Sequence, residues 1–269
     1  MANLNTAHFV SWWGTTMAHV AALANTRKLW DIRSTLVIAS KATDDEWKEL
    51  WAITKAKILW IPHVVVDPKD SREILAATRK HAIRVVIGNW YTPVIPLEVV
   101  HAYSQDGNSG YNQHPGGLRV DRKDFWGKWM YGTRVTATAM FYHLATWREL
   151  WTHTSVESSV HRLTQELDDG ELVGVSHLAI TPELDRYQTQ SGLLDPSGEV
   201  VLSPALGSLI VWVQQMLLIL EHENVAGVMR MLGEGGIPSR HPIYDMSLGL
   251  DPARLAWAKE QATRLYPKG

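Results

Sequence analysis

Short apolar runs alternate along this chain with segments whose apolar positions fall three or four residues apart. Ala7–Trp12 reads as a buried strand. Met17, Val20, Ala21 and Ala24 then share one face of a helix that Thr15 or Thr16 can cap, and Asn25 to Lys28 read as its basic end. Ser34–Ala39 is a second strand, and Thr43-Asp44-Asp45-Glu46 is a capping box for a helix running to Thr54. The third strand is Ile58–Trp60 or Val64–Val66, because Pro62 excludes one continuous central strand. Asp70 to His81 predicts a helix, Ile83–Ile87 a fourth strand and Pro96–Ala102 another helix. A turn over Ser104–Gly110 leads into the short strand that carries Asn112.

Further on, Gly116 to Gly132 lacks clear periodicity and reads as an exposed loop that could cover a site. Thr133–Leu150 reads as a helix. Ser158–Leu163 and Leu172–Ile180 read as strands joined through Asp168-Asp169-Gly170. Gln188–Gly198 reads as a loop and Val200–Leu202 as a short strand. Leu206–Glu223 is a helix apolar nearly all round, and Asp251-Pro252 opens a last helix with Leu255 and Ala258 inward.

Strand–helix alternation at this spacing predicts an α/β, Rossmann-like fold: a mostly parallel sheet flanked by helices, with a C-terminal helical extension. The expected division is a catalytic domain over residues 1–180 and an extension over 181–269 packed on it. Ligands of such sheets sit beyond the carboxyl ends of the strands, which directs attention to Ser11–Thr16, Gly88–Val94 and Asn112–Pro115.

Composition narrows the classes rather than the chemistry. The 269 residues are 45% hydrophobic and 20% charged, ample for a sizeable core. A net charge of −2 gives no electrostatic reason to expect nucleic acid or membrane as a partner. Cysteine is absent, which removes disulfides and thiolate metal sites, and the scattered histidines form no convincing metal motif, so no metal is expected. The first residues lack a signal-peptide pattern and Leu209–Leu220 is too short to span a bilayer, so a cytoplasmic location is expected. Most of the 13 tryptophans are expected to serve core and shallow-surface packing.

In an extended strand Asn112 and His114 face the same way, and Pro115 ends the strand. An imidazole can shuttle a proton within one turnover, an amide can stabilise an oxyanion, and a nearby carboxylate can orient the ring. His161 lies on the strand before the Asp turn, at the edge of the expected cleft. Gly14, Thr15 and Thr16 open a helix, so their amides and hydroxyls could hold a phosphate or simply cap the helix.

Asn112-Gln113-His114-Pro115, together with Val160-His161-Arg162-Leu163 leading into Asp168-Asp169-Gly170, resembles the folate-dependent formyltransferase family, most of all the phosphoribosylglycinamide formyltransferases. The resemblance covers about residues 7–180. It implies formyl transfer from 10-formyltetrahydrofolate to a primary amine, with glycinamide ribonucleotide in purine biosynthesis as the first candidate. Amino-sugar or other small-amine acceptors, hydrolysis of the donor, and a non-catalytic folate-binding module are the alternatives. It further implies catalytic roles for Asn112, His114 and Asp168, with Asp169 the fallback for the acid. A folate pocket would involve Trp90, Tyr91 and Val94, and a substrate phosphate would sit at Gly14, Thr15 and Thr16. A homodimer is compatible with this reading.

Overall fold

A computed structural model describes residues 4–11, 14–40, 46–89, 91, 93–104, 107–114, 133–150, 155–165, 170–179, 201, 204–239 and 251–267. Seven strands form one sheet: β1 (Leu4–Val10), β2 (Ile32–Ser40), β3 (His63–Val66), β4 (Val85–Asn89), β5 (Ser109–His114), β6 (Ser155–Arg162) and β7 (Leu172–Ala179). Their order is β3-β2-β1-β4-β5-β6-β7, and β1 pairs in parallel with both β2 and β4. The expected mostly parallel, helix-flanked sheet is therefore present. The helices are α1 (Thr15–Asn25), α2 (Glu46–Ile58), α3 (Ser71–Lys80), α4 (Leu97–Ala102), α5 (Thr133–Leu150), α6 (Pro204–Gly233) and α7 (Pro252–Leu265).

Two compact units divide the chain. The first comprises residues 1–114, 160–174 and 222–241. Alternation along its strands buries both faces of the sheet. Val20, Ala24, Ile87, Tyr111 and Met229 build the core on one face, and Phe9, Ile38, Ile74, Val86 and Val99 build it on the other. The second unit comprises residues 115–159, 175–221 and 242–269. There α5 and α7 pack through Phe141 and Trp257, whose rings meet edge to face at 6.0 Å. Arg134 donates from Nε and Nη2 to the Tyr266 carbonyl at 3.0 and 2.7 Å, closing the end of α7 onto α5.

Several boundaries differ from the sequence reading for identifiable reasons. Neither Thr15 nor Thr16 is the N-cap of α1: Gly14 holds that position, at φ 61, and it makes no side-chain cap hydrogen bond. The third strand is the second of the two candidates, because α2 continues to Ile58. The capping box of α2 and the loop 116–132 lie outside the described residues. β4 runs on to Asn89, two residues further than its apolar run suggests. Val201 is not in a strand, and Val200 and Leu202 lie outside the described residues. The long helix continues ten residues past the expected end at Glu223, with Glu221 and Asn224 buried at 0% and 7% exposure.

The core of the first unit contains a polar chain. His8 on β1 lies with Nε2 2.9 Å from Ser34 Oγ on β2. Asn89 Nδ2 on β4 lies 3.1 Å from His8 Nδ1 and also donates to the Ile87 carbonyl at 3.2 Å. An amide N–H can only donate, so Nδ1 is the bare nitrogen and Nε2–H donates to the serine. Full burial pushes the His8 pKa down to about 4.

Four helices end in the same double-bonded turn. The residue just past the helix takes a positive φ, and its neighbour's N–H reaches back five residues: Lys28 to Leu23, Ile61 to Ala56, Ile83 to Thr78 and Gly236 to Met231. Glycine is the usual occupant of the positive-φ position, yet here the residues are Arg27, Trp60, Ala82 and, once, Gly235. At α3, relieving the Cβ strain with Ala82→Gly is expected to raise stability by about 1 kcal/mol, read as the midpoint of urea unfolding.

Candidate active site

Gly88 and Asn112 are directly paired across β4 and β5. A Cβ on Gly88 would collide with Asn112 Oδ1, so the absent side chain is what lets the amide lie flat over β4. On the other side, the Leu163 N–H donates to the Gly110 carbonyl at 2.9 Å. β6 therefore ends where β5 begins, and an antiparallel register, followed two residues along each strand, sets His161 opposite Asn112. Asn112 Nδ2 lies 3.3 Å from His161 Nε2.

The tautomer of His161 follows from its other bond. Nδ1 lies 2.9 Å from the Arg162 carbonyl, which can only accept, so Nδ1 carries the hydrogen. Nε2 is then the acceptor and Asn112 Nδ2 the donor, which orients the amide with its nitrogen toward β6 and its oxygen toward Gly88. Arg162 holds this arrangement in place. Its Nε donates to Glu171 Oε2 at 3.1 Å, its Nη2 to the Pro238 carbonyl at 2.6 Å, and its guanidinium lies 5.7 Å from the Tyr111 ring centre.

His114, the last residue of β5, is half-buried on the same side of the strand as Asn112. Asp168 and Asp169 lie outside the described residues. Gly170, which follows them in sequence, lies against this site: it abuts the Arg162 carbonyl, and a Cβ there would lie 3.0 Å from His161 Nδ1.

The remaining site residues are distributed unevenly. Trp90 lies outside the described residues. Tyr91 packs edge-on against Phe9 at 5.2 Å and belongs to the core, where burial, followed by the charge of Asp67, raises its phenol pKa. Val94 is exposed. At the carboxyl end of β1, Gly14 combines a left-handed backbone with close contact to α2, a Cβ there falling 3.3 Å from Ala52. Thr15 is exposed and Thr16 is buried, with its hydroxyl making no hydrogen bond among the described residues. The residue at the N-cap, Gly14, has no side chain with which to cap the first amides of the helix. Among the described residues, no group of three His, Cys, Asp or Glu side chains could hold a metal ion.

Sequence reasoning placed His161 near the site but missed its bond to Asn112, and it read Gly88 only as part of a pocket stretch. Both roles depend on strand register. The signal available was a glycine in an otherwise β-branched run, which marks close approach.

No known family model matches the chain, and no curated protein matches it. Its fold is that of several solved enzymes. The glycinamide ribonucleotide transformylase 1 of Symbiobacterium toebii superposes with a TM-score of 0.59 at 15% identity, over 88% of this chain and 92% of that one. The corresponding protein of Geobacillus kaustophilus gives 0.54 at 19% identity, over 85% and 98%. A formyltetrahydrofolate deformylase from Pseudomonas putida KT2440 gives 0.53 at 18% identity, over 87% and 66%.

Proposed function

We propose that this protein transfers a formyl group from 10-formyltetrahydrofolate to a primary amine. The observation that carries the reading is the fixed amide of Asn112, clamped between Gly88 and His161, two residues before His114 at the carboxyl end of a central strand. The fold shared with the transformylases supports the same chemistry.

In the proposed reaction the amine nitrogen attacks the formyl carbon, and the carbonyl oxygen becomes an oxyanion. Asn112 Nδ2, held by His161, donates to that oxyanion. His114 takes the proton that the attacking amine loses, and Asp168 is assigned to steady the imidazolium. Collapse of the tetrahedral intermediate breaks the bond to N10 of the folate, which leaves with the proton returned by His114. Gly14, Thr15 and Thr16 open α1 at the carboxyl end of β1 and are assigned to the phosphate of glycinamide ribonucleotide, the first acceptor to test. The folate meets the chain along 90–94, where exposed Val94 offers surface and Tyr91 braces the backbone from the core.

Hydrolysis of the same donor is the second reading, because a deformylase shares this fold. Incubation with 10-formyltetrahydrofolate and a panel of amines separates the two. A formylated amine supports transfer, free formate independent of any amine supports hydrolysis, and folate binding without turnover would refute both.

The cradle itself makes a prediction. Gly88→Ala is expected to lower turnover by one to two decades, because the new Cβ displaces the amide. The donor's KM should change far less than kcat. Unchanged kcat in a folded variant would show that the flat placement of Asn112 is irrelevant to the chemistry.

A further inference from the structure

The amino end of the sheet, opposite the candidate site, carries its own unexplained feature. Trp60 is 93% exposed and Trp30 60%, and Ile58 and Trp51 are exposed beside them. Trp51, Lys55 and Ile58 fall at i, i+4 and i+7 on α2, forming an outward stripe that ends in Trp60. Trp30 and Trp60 occupy the turns that lead into β2 and β3, which are neighbouring strands. Asn25 Nδ2 donates to the Leu59 carbonyl at 3.4 Å, tying the two turns together.

Both tryptophans stand where glycine is the default. Trp60 is the positive-φ residue of the turn that ends α2, at φ 56. Trp30, at φ 55, is the first central residue of a turn closed by the Ile32 N–H on the Leu29 carbonyl at 3.1 Å. A bulky side chain costs local stability at such a position, and Trp60, 93% exposed, gains almost no burial in return, while Trp30 gains only part of its surface against the end of α6. Segments 25–31 and 55–61 also contain Arg27, Lys28, Lys55 and Lys57 against Asp31, with exposed Glu234 following Gly233 where the end of α6 meets Trp30. The chain's overall charge of −2 hides this local excess of cations.

We infer that this face is a peripheral docking surface for an anionic lipid bilayer. The tryptophans settle at headgroup depth and the flanking lysines and arginine meet lipid phosphates and carboxylates. Two arguments select this occupant. The apolar side chains project from turn tips and one helix face, a geometry suited to a soft planar partner. A second copy of the chain is disfavoured because a two-fold interface would bring two copies of the same cationic cluster together.

Co-sedimentation of the full chain with phosphatidylcholine vesicles, with and without phosphatidylserine, tests the assignment. Binding is expected only to the anionic vesicles and is expected to weaken as salt rises. Trp60→Gly should lower the partition coefficient by roughly tenfold while raising thermal stability, since glycine suits the backbone there. Lys28→Ala and Lys57→Ala should each lower it by about fivefold at low salt. Ala82→Gly, the same backbone change at the end of α3, should leave binding unchanged. No association with anionic vesicles at low salt would overturn the assignment. So would undiminished binding by the folded Trp60→Gly variant, a dimer in solution that Trp60→Gly dissolves in a chain that ignores vesicles, or salt-labile binding to an acidic polypeptide in place of lipid.

Discussion

Replacing His114 with alanine is expected to lower the turnover of formyl transfer by roughly two to four decades, the range associated with losing a positioned acid–base group. Asn112→Ala should cost roughly two to three decades through the lost oxyanion donor. The two side chains stand on one face of β5 and, in the proposed mechanism, serve successive moments of a single step, so the double variant should be little slower than the worse single one. Asp168→Asn should fall in the same range as His114→Ala, whereas Asp169→Asn should be nearly silent if the register of the Asp turn is right. Steady-state measurement of the formylated product, with folding checked by circular dichroism, reads all of these. Near-wild-type turnover in folded His114→Ala would remove the proposed mechanism altogether.

Acid should destabilise the first unit through His8. In the folded chain its Nδ1 accepts from Asn89 and its Nε2–H donates to Ser34, so a second proton would meet an amide N–H inside the core. Its folded pKa of about 4 lies below the ordinary 6.5, so across that interval the unfolded chain binds a proton that the folded chain refuses. The stabilisation from neutral His8 is complete above pH 6.5, falls as the pH drops toward 4, and amounts to about 3 kcal/mol in all. His222 shifts in the same direction, from burial and then from the neighbouring His19, and adds to the same trend. Urea titrations at a series of pH values should show this slope in the native chain and a clearly smaller one in His8→Gln, which keeps hydrogen-bonding capacity but cannot titrate. Parallel slopes in the two proteins would mean that His8 is not the responsible group.

How legible the molecule was in its sequence depended on the range of the interaction involved. The alternating Asn112 and His114 ahead of Pro115 are a local pattern, and the structure places them on the strand and face that pattern requires. The limits of α5 were equally readable, since periodicity and ending both lie within the segment. Failures came where a distant partner reverses the apparent meaning of a residue. Asn89 looked like the start of a loop but completes β4, where His8 and the Ile87 carbonyl both accept from its Nδ2. Glu221 through Asn224 looked like a helix end but continue α6, with Asn224 set against Gly174 of β7. Gly14 displaced two good capping residues because only glycine takes that backbone while touching Ala52.

The clamp on Asn112 also bears on the birth of the protein. Asn112 and its orienting imidazole are 49 residues apart, and β6 comes off the ribosome last of the three strands involved. A nascent chain that has completed β5 already owns the amide, His114 and the Gly88 side of the cradle, but the bond to His161 forms only once β6 emerges. The proposed reaction also needs Asp168, which follows His161 in the chain, so fragments released before residue 168 should be inert however well their first strands have paired.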